Sequence, residues 1–175
     1  MYYIMRLPIA LLTLAATATT GFAECATPQD TFLSCTFSNG RKAVDVCVEG
    51  DMFTYRFGRV GKAPDLALSV PVIDAEYTPW PGIGRAIWET VTFHNDKTSY
   101  VVAGVIDRKF SDDEKDEIQA EIGGMIDVNE GGETLATLEC DPGSVNFGYG
   151  GSIYDAKTAA GQCYNLEEQR WENCQ

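Results

Sequence analysis

Histidine is nearly absent from this chain, in which His94 stands alone among 175 residues. A Ser-His-Asp triad would have to use His94, and no Gly-x-Ser-x-Gly stretch accompanies it. No cysteine pair has the Cys-x-x-Cys spacing of zinc or redox sites, so a Cys/His zinc site would also depend on His94. We therefore expect His94 to be a turn or strand-surface residue. The sequence predicts no catalytic residue, no metal and no cofactor, and hence a protein without enzymatic activity.

Basic residues are also scarce, with 13 lysines and arginines against 26 acidic residues and a net charge of −13. Such a field repels nucleic acid and anionic membrane surfaces, and it favours basic partners. The alternative is that the acidity only keeps an exported protein soluble and serves no charged partner.

Long apolar runs are missing apart from one at the N-terminus. MYYIMR ends in the positive charge of Arg6, LPIALLTLAATA follows, and small residues occupy positions 21 and 23. This pattern predicts a secretory signal peptide over residues 1–23, cut after Ala23, because a bilayer span needs about 20 apolar residues. Cleavage would remove one basic residue and leave a periplasmic or secreted protein of net charge −14.

Alternation of apolar and polar residues dominates the rest of the chain and predicts strands. Asn39-Gly40 predicts a two-residue type I′ hairpin turn, and the turns HNDK and EGGE join two further strand pairs. The predicted strands cover residues 32–37, 43–48, 52–58, 65–70, 85–95, 98–107, 124–129 and 134–140. Frequent strands with little helix predict a mainly β fold, a single antiparallel barrel or sandwich of about eight strands.

Composition divides the exported chain into two parts. Residues 24–145 are expected to form the β domain, and residues 146–175 a Gly-rich linker followed by a disulfide-stapled tail packed on that domain. The linker NFGYGGS lacks the spacing of a phosphate-binding loop. IYDAKTAAG predicts one or two helical turns in the tail. Within the β domain, SDDEKDEIQAEIGG (111–124) has a capping box and predicts a short surface helix, with a solvated acidic loop as the alternative.

Six cysteines behind a signal peptide predict a disulfide framework. A two-residue turn at Asn39-Gly40 would place Cys35 opposite Val44, so Cys47 would lie too far along the strand to bond Cys35. Six cysteines formally allow fifteen connectivities, and the sequence does not single out one of them. Local spacing supports one preferred pair, and the other two are chosen because they pin the N-terminus and join the first strand to the last. The preferred set is Cys163–Cys174, Cys25–Cys47 and Cys35–Cys140.

A rigid aromatic loop is the candidate binding site. In EYTPWPGIGRAIW two prolines flank a tryptophan, and two glycines allow tight bends. Such a loop loses little entropy on binding. The alternative is that Trp80 plugs one end of a barrel and that the prolines only end a strand. The predicted partner-binding residues are Tyr77, Trp80, Pro81, Arg85 and Trp88.

Clustered acids form a second, weaker candidate. Asp112, Asp113, Glu114, Asp116 and Glu117 carry the hard oxygens that Ca²⁺ prefers, but the sixth position counted from Asp107 lacks the glycine of an EF-hand loop. A solvated charge run is the favoured interpretation. Paired carboxylates from different strands would leave no local pattern, so a hydrolase that uses such a pair stays an alternative.

Three segments resemble the periplasmic and membrane-bound inhibitors of C-type lysozyme. FLSCTFSNGRKAVDV is similar to their opening strand, IWETVTFHNDKTSYVV to their central Trp-containing hairpin, and LEC to their closing cysteine. The resemblance implies an eight-stranded barrel whose first and last strands share a disulfide. DAEYTPWPG stands where those inhibitors carry a Ser-Gly-x-x-Tyr segment, with Tyr77 in common, and the tail beyond Cys140 has no counterpart there. The chain also resembles exported proteins of alphaproteobacterial type.

Together these features predict an exported, non-enzymatic binding protein that recognises a protein or an envelope component in the periplasm. Inhibition of a basic wall hydrolase such as lysozyme is the narrowest form of this prediction. The alternatives are a periplasmic hydrolase with paired carboxylates in a barrel mouth, and a structural envelope protein.

Overall fold

Strands dominate the fold because apolar side chains alternate with polar ones along most of the chain. The computed structural model describes residues 25–109 and 119–174. In chain order its strands are β1 (Thr31–Phe37), β2 (Lys42–Glu49), β3 (Met52–Arg59), β4 (Leu66–Pro71), β5 (Glu76–Thr78), β6 (Ala86–Asn95), β7 (Thr98–Lys109), β8 (Gln119–Glu130), β9 (Glu133–Glu139), β10 (Asn146–Phe147), β11 (Gln162–Asn165) and β12 (Arg170–Asn173). The described helices are α1 (Ser152–Ala159) and the 3-10 helices Pro28–Asp30 and Val72–Asp74. The eight predicted strands correspond to β1–β4 and β6–β9.

Two antiparallel five-stranded sheets pack face to face. The first has the spatial order β10-β1-β2-β3-β4 and the second the order β5-β6-β7-β8-β9, while β11 and β12 form a separate hairpin. Over the residues that the structure describes, neither sheet closes on itself. Of the two predicted architectures the chain therefore adopts the sandwich, not the barrel.

Aromatic side chains fill the space between the sheets. Phe53 and Tyr55 lie two positions apart in β3, so they share one face of the strand, and both are fully buried. Both rings contact Phe93 of the opposite sheet, with ring centres 5.4 Å apart in each case. Aromatic pairs of this kind contribute about 0.5–1.5 kcal/mol beyond their buried area. The sequence period thus decides which face of β3 meets the second sheet.

The β1–β2 turn keeps the predicted register but not the predicted turn type. Cys35 pairs with Val44, as expected. Ser38 joins Asn39 and Gly40 in the left-handed region, with φ of 57°, 59° and 76°, and the Arg41 amide donates to Phe37 O at 3.1 Å. The turn is one residue wider on each side than a two-residue turn.

A carboxylate stabilises this wider turn. Asp141 accepts hydrogen bonds from the backbone amides of Asn39 and Gly40 at 3.0 and 2.7 Å, and from Thr36 Oγ1 at 2.9 Å. Successive left-handed residues point their amides to one side, where an anion fits. The turn amides and then the Thr36 hydroxyl hold the pKa of Asp141 below its usual value.

The predicted helix over residues 111–124 is wrong for its last six residues. Residues 119–124 belong to β8, which pairs with β7 along its whole length, for example Ile122 with Ile106. Pairing with an existing strand outweighs a weak local helix preference. Residues 111–118, with the predicted capping box and the acidic run, lie outside the described residues, as does the predicted signal peptide.

The Gly-rich segment after Cys140 is part of the first sheet and is more than a linker. Asn146 and Phe147 form β10, paired with Ser34 and Leu33 of β1. The Phe147 ring packs against Gly104 of β7, where an added Cβ would approach the ring to 2.2 Å. The glycine therefore makes room for the aromatic side chain that joins the two sheets.

All six cysteines are paired, and the pairs are the three that the sequence favoured. Their Cα–Cα distances of 5.5, 5.8 and 5.1 Å lie within the usual range. Cys35–Cys140 joins β1 of the first sheet to the end of β9 in the second, so it links two sheets and does not close one. Three disulfides are compatible with an extracellular or periplasmic protein. In the described residues no helix is long and apolar enough to cross a bilayer.

The tail packs on the sandwich through one tryptophan and one lysine. Trp171 donates from Nε1 to Tyr77 O at 2.8 Å, and its ring stacks on the Tyr77 ring. Lys157 of α1 is 1% exposed and donates from Nζ to the carbonyls of Val72, Ile73 and Ala75. Burial lowers the pKa of Lys157 to about 8. The predicted helical turns over IYDAKTAAG are confirmed as α1.

Candidate functional site

The Pro79–Arg85 loop connects β5 to β6 at one end of the second sheet. Its prolines fix φ at two positions, and both of its glycines adopt left-handed conformations, with φ of 82° at Gly82 and 102° at Gly84. Ile83 stands between these glycines. The local sequence thus builds a sharp bend that presents one aliphatic side chain.

Arg108 of β7 binds the backbone at the end of the Pro79–Arg85 loop. Its guanidinium donates to Gly84 O at 2.7 Å and to Arg85 O at 2.8 Å. The same guanidinium lies 5.5 Å from the centre of the Trp80 ring. Two carbonyls and one aromatic face therefore converge on one cation, which suits the planar guanidinium group.

Two contacts within and beside the loop complete its frame. Trp80 donates from Nε1 to Ile83 O at 3.0 Å, which ties the start of the bend to its tip. Arg85 pairs with Asp107 of β7 at 3.1 Å. The Arg85 pair is largely exposed and contributes little to stability, but it fixes the end of the loop against the strand that carries Arg108.

A row of aromatic rings continues from the loop into the core. Trp80 meets Tyr149 edge-on at 6.4 Å, Tyr149 contacts Phe147 at 6.4 Å, and Phe147 contacts Phe32 at 5.7 Å. Phe32 is fully buried between the sheets. The loop is therefore attached to the rigid centre of the sandwich by side-chain packing as well as by hydrogen bonds.

Ile83 is the exposed tip of this frame. Its side chain is 78% exposed, the highest value among the exposed large apolar residues of the described chain. A preorganised loop with an unburied aliphatic tip resembles a binding element more than a packing element, because little ordering entropy remains to be lost on binding.

The five predicted site residues do not lie together. Trp80, Pro81 and Arg85 belong to the loop, as expected. Tyr77 is 3% exposed and stacks on Trp171, so it is a core residue and not a contact residue. Trp88 lies on the face of β6 that points away from the core, because it alternates with the buried Glu89. The prediction that Tyr77 shares a contact surface with the loop is wrong.

Glu89 is a buried carboxylate on the inner face of β6. Its Oε2 accepts a hydrogen bond from the Gly150 amide at 3.3 Å, which anchors the Gly-rich segment. Burial raises the pKa of Glu89, while the Tyr77 hydroxyl and the Gly150 amide act in the opposite direction. Burial, followed by the charge of Glu89, also raises the pKa of Tyr77. The Glu89 carboxylate therefore holds the Gly-rich segment that carries Tyr149.

The buried carboxylates of the described chain do not form a pair. They are Asp45 and Glu89. Asp45 alternates with Val44 and Val46 of β2, so it points to the outer side of the first sheet, whereas Glu89 points inward from the second. Hydrolysis by two carboxylates needs both to flank one substrate bond.

Candidate metal ligands and the single histidine of the described residues do not form a metal site. Residues 25–109 and 119–174 contain no cluster of three or more histidine, cysteine, aspartate or glutamate side chains that could hold a metal ion. His94 is a surface residue of β6, as predicted, and its Nε2 lies 3.0 Å from Glu76 Oε1. The acidic run at 112–117 lies outside the described residues.

Sequence reasoning missed Ile83, Arg108 and Tyr149. Ile83 had a detectable pattern, an aliphatic residue between two glycines in a proline-rich turn. Tyr149 could have been noticed as an aromatic residue in a glycine-rich stretch. Nothing local identifies Arg108, since strand pairing alone brings it under a loop 23 residues earlier in the chain.

Comparisons were made at three levels, with models of protein families, with curated protein sequences and with solved structures. None of the three gives a match to this chain.

Proposed function

We propose that the protein is an exported, non-enzymatic binding protein that inserts its Pro79–Arg85 loop into a recess of a partner protein. The observation that carries this proposal is the combination of an exposed tip, Ile83, with a backbone already fixed by Arg108 and Trp80. Rigid loops of this kind bind with a small entropic penalty.

The charge of the chain favours a basic partner. With a net charge of −13, the protein attracts a cationic surface at long range and accelerates encounter at low ionic strength. A basic wall hydrolase, inhibited by the inserted loop, is the narrowest form of the proposal. The opposed directions of Asp45 and Glu89 favour binding over hydrolysis by a carboxylate pair.

A matched pair of variants tests the narrow form. Ile83→Ser removes the exposed tip, and Leu166→Ser removes a similarly exposed apolar residue, 62% exposed, from the β11–β12 turn. The wild-type protein is expected to inhibit C-type lysozyme at near-stoichiometric ratio in low salt. Ile83→Ser is expected to weaken inhibition by about 10- to 100-fold, the value of one buried aliphatic side chain. Leu166→Ser should change it less than twofold, a small effect at an exposed site.

Absence of inhibition by the wild-type protein would exclude lysozyme as the target. The broader proposal is tested by a photo-crosslinking amino acid placed at position 83 in cells that export the protein, with position 166 as the control. A protein adduct specific to position 83 is expected. Adducts at both positions, or at neither, would contradict binding through the loop.

A further inference from the structure

Four basic side chains surround one cavity in the first sheet, next to the β1–β2 turn and the end of β3. They are Arg41, Lys42, Arg59 and Lys62. This cavity is open to solvent and has a volume of about 700 Å³; its lining consists of exposed residues, namely Ser38, Gly40, Arg41, Lys42, Arg59, Val60 and Lys62. The β1–β2 turn and the end of β3 form its walls, and the Val60 amide donates to Arg41 O at 3.2 Å to hold them together. This concentration of positive charge contrasts with the net charge of −13.

Within the described chain, none of these four cations forms an ion pair with a carboxylate. Other basic residues do, namely Arg56, Arg85, Lys109 and Arg170. Arg41 donates from Nε to Ser38 O at 2.9 Å, and Lys42 Nζ lies 5.3 Å from the centre of the Phe57 ring. Asp141 is the acid that faces Arg41, but its oxygens already accept from the turn amides.

The strand register adds a direct repulsion. Lys42 of β2 pairs with Arg59 of β3, so two positive side chains stand opposite each other on neighbouring strands. Like charges in directly opposed positions destabilise a sheet. A strand pair that keeps this arrangement gains stability when an anion lies between the two cations.

We propose that this cavity binds a small, soluble, multivalent anion with phosphate-type groups. Four cations suit a ligand with several negative charges, and the arginine fork and lysine ammonium both bind phosphate oxygens. The volume lies within the range of about 300–1,000 Å³ for small-molecule sites. The site lies on the first sheet and does not depend on the Pro79–Arg85 loop.

Titration calorimetry with inorganic tripolyphosphate tests the site. We expect saturable binding of one anion per chain, weakened at high salt. Lys42→Gln and Arg59→Gln should each weaken binding by about tenfold, the effect of one lost charge-assisted contact. Lys97→Gln removes the same charge from the exposed β6–β7 turn and should leave the affinity within about twofold, since a distant exposed charge is screened.

Thermal unfolding separates a binding role from a structural one. Without the anion, Lys42→Gln should unfold at the wild-type temperature or above it, because it removes the repulsion with Arg59. The rise in unfolding temperature on adding tripolyphosphate should be lost in Lys42→Gln and retained in Lys97→Gln. Equal weakening by all three substitutions, or no saturable binding, would overturn the proposal. Stronger binding to phosphatidylglycerol vesicles than to tripolyphosphate would overturn the assignment of a soluble ligand.

Discussion

The guanidinium carbon of Arg108 lies 5.5 Å from the centre of the Trp80 ring, while its nitrogen atoms hold two carbonyls of the same loop. One strand residue thereby fixes both the side chain and the backbone of the Pro79–Arg85 loop. The relationship explains why a loop with two left-handed glycines keeps one shape, and it defines the first prediction.

Arg108→Lys keeps the positive charge but cannot hold two carbonyls with a planar fork. We expect the backbone order parameters of residues 82–85 to fall, because a lysine can hold the carbonyls of Gly84 and Arg85 less firmly. NMR relaxation measurements check this. Arg170→Lys in the exposed tail is the control, and unchanged order parameters in Arg108→Lys would show that the loop is held by other contacts.

Glu89→Gln should stabilise the protein at neutral pH. Because the folded pKa of Glu89 is raised above the ordinary 4.5, its contribution to stability is complete below that pH and is lost as the pH rises through the folded pKa. Glutamine keeps the shape and stays neutral. The unfolding temperature of Glu89→Gln should exceed that of the wild type at neutral pH, and the difference should vanish at about pH 4.

Glu139→Gln, on the exposed part of β9, is the control and should behave like the wild type at both pH values. A lower unfolding temperature for Glu89→Gln at neutral pH would mean that the ionised carboxylate stabilises the fold.

Lys157→Met should destabilise the protein strongly. It leaves the carbonyls of Val72, Ile73 and Ala75 without their buried donor. We expect the free energy of unfolding in urea to fall by about 2–4 kcal/mol at pH 7. Lys97→Met at an exposed turn should change it by less than about 0.5 kcal/mol.

The pH dependence of the same pair gives a second measurement. The folded pKa of Lys157, about 8, lies below its ordinary value of 10.5. Between these values the unfolded chain binds more protons than the folded chain, so the Lys157 contribution grows with pH. The stability difference between wild type and Lys157→Met should therefore widen from pH 8 to 10.5. A constant difference would contradict the lowered pKa.

The disulfides with the longest and the shortest chain separation should differ in their effect on stability. Cys35–Cys140 spans 105 positions and Cys163–Cys174 spans 11. Loop entropy predicts losses of about 4–5 kcal/mol and about 3 kcal/mol when each pair is replaced by serine. Denaturant unfolding should therefore show the larger loss for Cys35–Cys140. Thiol titration of the unreduced wild type should find no free sulfhydryl, and the reverse order of losses would contradict the loop-length argument.

Much of the first sheet could be predicted because its information is local. The period-two pattern identified β3, and the predicted Cys35–Val44 register is confirmed even though the turn at Ser38 is wider than expected. The C-terminal end of the 111–124 segment failed because its local pattern favoured a helix. Ile122 belongs to a strand because it pairs with Ile106 of β7, and this pairing is not visible in the local pattern around Ile122.

The candidate loop was predicted in part for the same reason. Prolines and glycines predict a rigid bend at positions 79–85, but they do not predict which aromatic residues face outward. Tyr77 belongs to the core because Trp171, almost a hundred residues later, stacks on it. Contacts at such separations leave no trace in a local pattern.

The sequence by itself determined that this chain is mainly β and, through local spacing, supported one of its three disulfides, Cys163–Cys174, since alternation and spacing are short-range properties of the backbone. Tertiary structure alone decided that the sheets form a sandwich, that Arg108 fixes the Ile83 tip, and that Lys42 faces Arg59 across a basic cavity. Those relationships depend on which strands become neighbours, and that choice is made by packing over the whole core.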